Sequence, residues 1–75
     1  MHARAAARFV RLAASFSSQI RVSRDGRAID GKSIMGLLLL AASQGTAITI
    51  SADGQDEGAA LDALCALVDR GFDDE

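Results

Sequence analysis

Apolar and polar positions along the chain change period several times, and each change marks an element. Ala6, Phe9, Val10 and Ala13 recur at helical spacing, with Arg4, Arg8 and Arg11 on another side. Ala3 to Ser15 is therefore predicted as a helix of about three turns. Phe16 closes its apolar stripe, and Ser15, Ser17 and Ser18 form the exit. Gln19 to Arg24 then alternates with a period of two, the mark of a half-buried strand with Ile20 and Val22 inward. Asp25-Gly26 is a strong hairpin signal. Arg27 to Asp30 is the return strand, with Ala28 inward and Ile29 as a further inward candidate, and it ends at Gly31.

The run from Ile34 to Leu40 is apolar without a period, so helix and strand compete there. Ser33 as an N-cap and the low β-branched content favour a short helix. So small a domain cannot bury every side of it, and Ile34, Met35 and Leu38 are expected to be exposed as a docking surface. Ala41 to Gly45 reads as a loop. Alternation returns from Thr46 or Ala47 to Ala52, with Ile48 and Ile50 inward, and Asp53-Gly54 breaks it. Asp56 and Glu57 suit the start of a last helix, where the dipole favours acids. Its expected stripe is Leu61, Leu64, Cys65 and Val68, flanked by Leu67, with Cys65 an inert buried thiol. Gly71 is the expected stop. Phe72 to Glu75 reads as a frayed tail.

The order α-β-β-α-β-α, with strands alternating on one side, predicts a single α+β domain over residues 1–75: an antiparallel sheet with helices on one face. Composition sharpens this. At 75 residues, with no Trp, Tyr or Pro and three Phe, the core must be thin and built from Leu, Ile, Val and Ala. A net charge of −2 argues against a general nucleic-acid binder. The charge is segregated. Arg4, Arg8, Arg11, Arg21, Arg24, Arg27 and Lys32 fall in the first part, leaving Arg70 as the lone downstream cation, and most acids lie after Ala52. One Cys and one His cannot make an internal disulfide or a zinc set, so no metal site is expected, and a reducing compartment is the simplest setting. The first residues carry no apolar h-region and the longest apolar run, Ile34 to Ala42, is far short of a membrane span, so neither a signal peptide nor membrane insertion is expected.

The candidate chemistry lies at the start. His2 stands directly before the first helix, where unpaired N–H groups and the positive dipole end favour an anion. Arg4 adds a fixed charge with a fork of donors. An imidazole close to its neutral form is a competent nucleophile, so His2 is the candidate phosphoryl acceptor and Arg4 its helper. Arg8 and Arg11, on the same helix, are candidate contacts to acidic partners.

Three motifs carry a resemblance: His2-Ala3-Arg4 running on to Phe9-Val10, Gly31-Lys32-Ser33-Ile34-Met35-Gly36, and Gln44-Gly45 followed by Ile48-Thr49-Ile50-Ser51-Ala52 and Gly54. In this order and spacing the chain resembles the histidine-containing phosphocarrier HPr family of the bacterial phosphotransferase system. The likeness runs from Met1 to about Val68. It implies an open-faced β-sandwich and a cytoplasmic phosphoryl carrier within a transferase system, needing no cofactor. The implied donor is phosphorylated Enzyme I, charged from phosphoenolpyruvate, and the implied acceptors are EIIA-type proteins. By the same resemblance His2 is the phosphorylated residue, at Nδ1, and Arg4 assists. Ser33 matches the serine modified by an HPr kinase, and Ile34, Met35 and Leu38 match partner-docking positions. Alternatives are a regulatory, nitrogen-type relative and an interaction module without phosphotransfer.

Two departures are visible. Ala5 replaces the usual Pro after the arginine, which costs rigidity but suits a helix. The family also carries roughly a dozen residues before its histidine, forming an edge strand. Relative to that pattern the edge strand is missing, which would leave the Thr46–Ala52 strand with unpaired backbone groups. A start further upstream is the preferred expectation, ahead of a strand lent by a neighbouring molecule or a truncated form.

Overall fold

The computed structural model describes residues 3–40 and 48–73. Met1, His2, residues 41–47, on which the expected loop and the expected first residues of the third strand fall, and Asp74-Glu75 lie outside the described residues. The element order is α1 (Ala3–Ala14), β1 (Gln19–Arg24), β2 (Arg27–Asp30), α2 (Ile34–Leu40), β3 (Thr49–Asp53) and α3 (Glu57–Asp69), with a closing 3-10 turn at Gly71–Asp73. This is the expected α+β arrangement.

The three described strands form an antiparallel sheet in the order β2-β1-β3. Asp25 and Gly26 both have positive φ, 51° and 81°, as a two-residue turn twisted to match the strands requires. That turn pairs Arg24 with Arg27, so Val22 faces Ile29 and Ser23 faces Ala28. Ile29 is thus the inward residue and packs on the core, while Ala28 is exposed. Ala28, read from the sequence as an inward candidate, therefore points out. On the other side Ile20 faces Ala52 and Val22 faces Ile50.

The core lies between this sheet face and the helices. Ala6, Phe9 and Ala13 come from α1, Ile20 and Val22 from β1, Leu37 and Leu40 from α2, and Ala60, Leu64 and Leu67 from α3. The α3 stripe corrects the expectation: Ala60, Leu64 and Leu67 are buried, Leu61 and Val68 only half-buried, and Cys65 is exposed. Seven residues between Leu61 and Val68 other than Asp62 are apolar, so hydrophobicity encircles the helix. Contact with β3 and α1 selects the face that is buried.

Two further findings depart from the sequence reading. Gly71 ends α3 with φ +66°, as expected of a left-handed stop, but Gly71–Asp73 then form a 3-10 turn where the frayed tail was expected to begin; Asp74 and Glu75, the rest of that tail, lie outside the described residues. Phe72 is half-buried against the core at φ +61°, and its carbonyl accepts a hydrogen bond from Arg8 Nη1 at 2.8 Å. Arg24 continues the inward alternation of β1 and is buried. Its Nη1 donates to Leu40 O at 3.5 Å, at the end of α2. Its Nε lies 3.8 Å from Asp25 Oδ2 and has no hydrogen-bond partner among the described residues.

A clasp joins the α1–β1 loop to the start of α3. Asp56 does not cap α3 with its side chain. Instead its carboxylate accepts the Ser17 N–H at 2.8 Å, the Ser18 N–H at 2.9 Å and the Ser18 hydroxyl. The Ser18 hydroxyl first, and the Ser17 amide next, favour the ionised form and hold the Asp56 pKa down to about 2, against an ordinary 3.8.

Candidate functional site

The site is organised by α1 and α2, which pack side by side. α1 begins at Ala3 and has no acidic residue in its first turn, so nothing in that turn offsets the positive end of its dipole. Ala5 and Ala6 are buried and seat the turn against the domain, while Arg4 is exposed on it. His2 lies outside the described residues. Arg8 and Arg11 follow on α1, Arg8 half-buried and tied to Phe72, Arg11 exposed in the last turn.

α2 is set by its cap. Ser33 Oγ accepts the Gly36 N–H at 3.1 Å, and Ser33 O accepts the Leu37 N–H at 3.1 Å, which starts the helix. Gly36 allows the helix close to β2: a Cβ there would stand 3.3 Å from both Ile29 Cβ and Ser33 Oγ. With Leu37 and Leu40 inward, three apolar side chains are left in solvent: Ile34 at 43%, Met35 at 67% and Leu39 at 64% exposure. Leu38, expected among the exposed residues, is half-buried and packs on the core. Leu39 takes the exposed place that the sequence reading had given to Leu38. On a helix this short, two inward positions three residues apart decide the rest. Met35 and Leu39, four apart, form one outward stripe.

The structure therefore brings Arg4, Arg8 and Arg11 onto one helix and Ile34 and Met35 onto its neighbour. Ser33 sits at the start of that neighbour, and its cap bonds give it a structural role. Among the described residues no cluster of His, Cys, Asp or Glu could hold a metal ion, and no helix is long and apolar enough to cross a membrane.

Comparison with known proteins places this arrangement. Residues 1–70 match the family described as the PTS HPr component phosphorylation site. The phosphocarrier protein HPr of Cupriavidus necator is 50% identical over 72 residues, 96% of this chain and 81% of the relative. The phosphocarrier protein NPr of Shewanella violacea is 43% identical over 74 residues, 99% of this chain and 81% of the relative. The crystal structure of HPr-C-His from Thermoanaerobacter tengcongensis superposes with a TM-score of 0.90 at 47% identity, covering 99% of this chain and 83% of that one. A family match over nearly the whole length, relatives at 43% and 50% identity and a superposable fold agree: this chain belongs to the HPr family of phosphocarriers of the phosphotransferase system.

Proposed function

We propose that the chain accepts a phosphoryl group on His2 from phosphorylated Enzyme I and passes it to EIIA-type proteins. The observation that carries this reading is the family match, which names a phosphorylation site and takes in His2, Arg4 and all of α1. In the transfer, an imidazole nitrogen lone pair forms the new N–P bond as the donor's bond to phosphorus breaks. The donor departs with that electron pair. Such a transfer needs positioning and charge stabilisation more than covalent help. Arg4 and the start of α1 supply both in this reading, with their positive charge set against the phosphoryl oxygens.

Ile34 and Met35, with the half-buried Leu38 beside them, form the apolar part of the partner-docking surface, and Arg8 and Arg11 its basic part. Ser33 is the candidate for regulatory phosphorylation by an HPr kinase, on the resemblance alone, since its bond to Gly36 already accounts for a serine there. The chain acts as a carrier in the cytoplasm and not as an enzyme turning over alone. Incubation with Enzyme I and labelled phosphoenolpyruvate tests the reading. The wild type takes up acid-labile label and His2→Ala does not; an unlabelled wild type sinks the proposal.

The NPr relative favours one second reading, a regulatory output in place of sugar uptake. Comparing phosphoryl transfer to sugar-specific and nitrogen-type EIIA proteins separates the two.

A further inference from the structure

The inward positions of β1 are Ile20, Val22 and Arg24. The first two are apolar and fill the core, whereas the third puts a guanidinium into the next slot, at 8% exposure. Burying a cation there carries a desolvation cost that an aliphatic side chain would avoid. Its immediate surroundings do not offset that cost in full. Nε has no hydrogen-bond partner among the described residues, and the Asp25 carboxylate 3.8 Å away belongs to a side chain largely in solvent. The group that the guanidinium does reach is Leu40 O, 3.5 Å from Nη1, on the last residue of α2.

α2 needs such a contact. It has seven residues and no basic residue in its last turn, so nothing of its own offsets the negative end of its dipole or serves its final carbonyls. A helix this short is marginal unless its ends are held. Its start is held locally, by the Ser33 cap on Gly36 and by Lys32 Nζ, which donates to Phe16 O at 2.8 Å. Its far end takes a cation from a strand. We propose that Arg24 is a positioning residue for partner docking: from β1 it holds the last turn of α2 helical and so keeps Leu39 in line with Met35 on the outer face. Leu39 is 64% exposed and directly precedes the residue whose carbonyl is held. Without the guanidinium, Leu40 O turns to water, the last turn unwinds and the apolar stripe loses one of its two members. The inference deepens the proposed phosphocarrier function and rests on α2 being its docking helix.

The test joins amide hydrogen exchange with steady-state transfer from phosphorylated Enzyme I, on the intact chain. Arg24→Met fills the slot and removes the charge. Exchange at the Leu39 and Leu40 amides, which close the last turn, should quicken about tenfold while the β1 amides keep their protection. KM for the chain should rise about fivefold with kcat unchanged, because His2 and Arg4 are untouched. Arg24→Lys keeps a positive charge at the helix end and should return KM to within about twofold of wild type. Arg21→Met makes the same change on the exposed face of β1 and should leave both readouts unaltered. If Arg24→Met does not fold by circular dichroism, Arg24→Gln takes its place in both measurements. Unchanged exchange at Leu39 and Leu40 overturns the positioning role. So does faster exchange with an unchanged KM, a lysine variant no better than the methionine one, or an equal effect in Arg21→Met. A wild type that takes no label is a failure of the phosphocarrier reading itself, seen before any variant is compared, and it removes the positioning role as well.

Discussion

Arg8 and Phe72 lie 64 residues apart, and a single hydrogen bond of 2.8 Å from the Arg8 guanidinium to the Phe72 carbonyl closes the domain on itself. The bond holds Phe72 at φ +61°, a left-handed backbone that a bulky residue adopts only when its surroundings enforce it. With Phe72 packed on the core, the 3-10 turn works as a latch between α1 and the end of α3. Phe72→Ala removes a half-buried aromatic ring and is expected to cost about 2 kcal/mol, below the range for a fully buried one. Thermal melts should show a fall in Tm on the order of 10 °C for a domain of this size. A Tm within about 2 °C of wild type, equivalent to roughly 0.5 kcal/mol or less, contradicts the latch.

The Asp56 clasp makes stability depend on acid. Its folded pKa, about 2, lies below the ordinary 3.8. The stabilisation is therefore fully present above pH 3.8 and is lost as pH falls from there towards 2. Asp56→Asn keeps the shape but not the charge, so it is less stable than wild type at pH 7. The gap between the two should close through that acid window. Urea denaturation of both proteins at pH 7, 4 and about 2.5 checks the sign. A gap that widens towards acid refutes it.

Gly54 stands against the same clasp. A Cβ at this position would lie 2.6 Å from Ser18 Oγ and 2.7 Å from Ser18 Cα. The second contact is with backbone and cannot be relieved by a rotamer change. Gly54→Ala must therefore push the α1–β1 loop away from the start of α3 and strain the Ser18 bonds to Asp56. A loss of about 2 kcal/mol in denaturant titration is expected, the usual scale of overpacking. Gly58→Ala has open space around its Cβ and serves as the control, neutral or slightly stabilising within the helix.

Where two local rules agreed, the sequence was a sufficient guide. β1 combines strict alternation with an Asp-Gly turn, and Ser33 combines a cap residue with a helix that needs one. Errors arose where hydrophobicity does not vary. In α3 nearly every position from Leu61 to Val68 is apolar, so the buried stripe depends on what the helix meets. In α2 the choice between Leu38 and Leu39 depends on which pair contacts the sheet. Ala28 was recoverable: a two-residue turn counts Ile29 opposite Val22 and sends Ala28 outward. Arg24 and Phe72 were not, because one is a charge in an inward slot and the other follows a helix stop. At the candidate site, the exposure of Ile34 and Met35 and the run of Arg4, Arg8 and Arg11 along α1 were legible from spacing, whereas the exchange of Leu38 for Leu39 on the outer face came only from the packing of α2.

The exposure of Cys65 gives a direct chemical check on the orientation of α3. A thiol on the outer face reacts with a disulfide reagent in the native protein at nearly the rate of the unfolded chain. A buried thiol would wait for unfolding. Cys65→Ser should likewise change stability by no more than about 0.5 kcal/mol. Slow native labelling would place Cys65 inward and overturn the assigned stripe.

On the proposed docking reading, α2 separates folding from docking within two residues. Leu37 is 1% exposed and fills the core beneath the helix, whereas Met35 is 67% exposed. Truncating Leu37 leaves a cavity, and Leu37→Ala is expected to cost about 3 kcal/mol. Met35→Asp removes no core contact, so its stability should stay within about 0.5 kcal/mol of wild type. On the docking reading the same substitution puts a charge where a partner's apolar side chain would settle, and desolvating that charge opposes binding. Transfer from phosphorylated Enzyme I to Met35→Asp should then show a KM raised about tenfold or more, a loss of roughly 1.4 kcal/mol in binding. The two variants thus move in opposite assays: Leu37→Ala shifts the melt, and Met35→Asp shifts transfer with an unchanged melt. If Met35→Asp transfers like wild type, the exposed stripe of α2 is not the docking surface. The apolar side chains at Ile34, Met35 and Leu39 would then be only what remains when a seven-residue apolar helix packs one side on a small core.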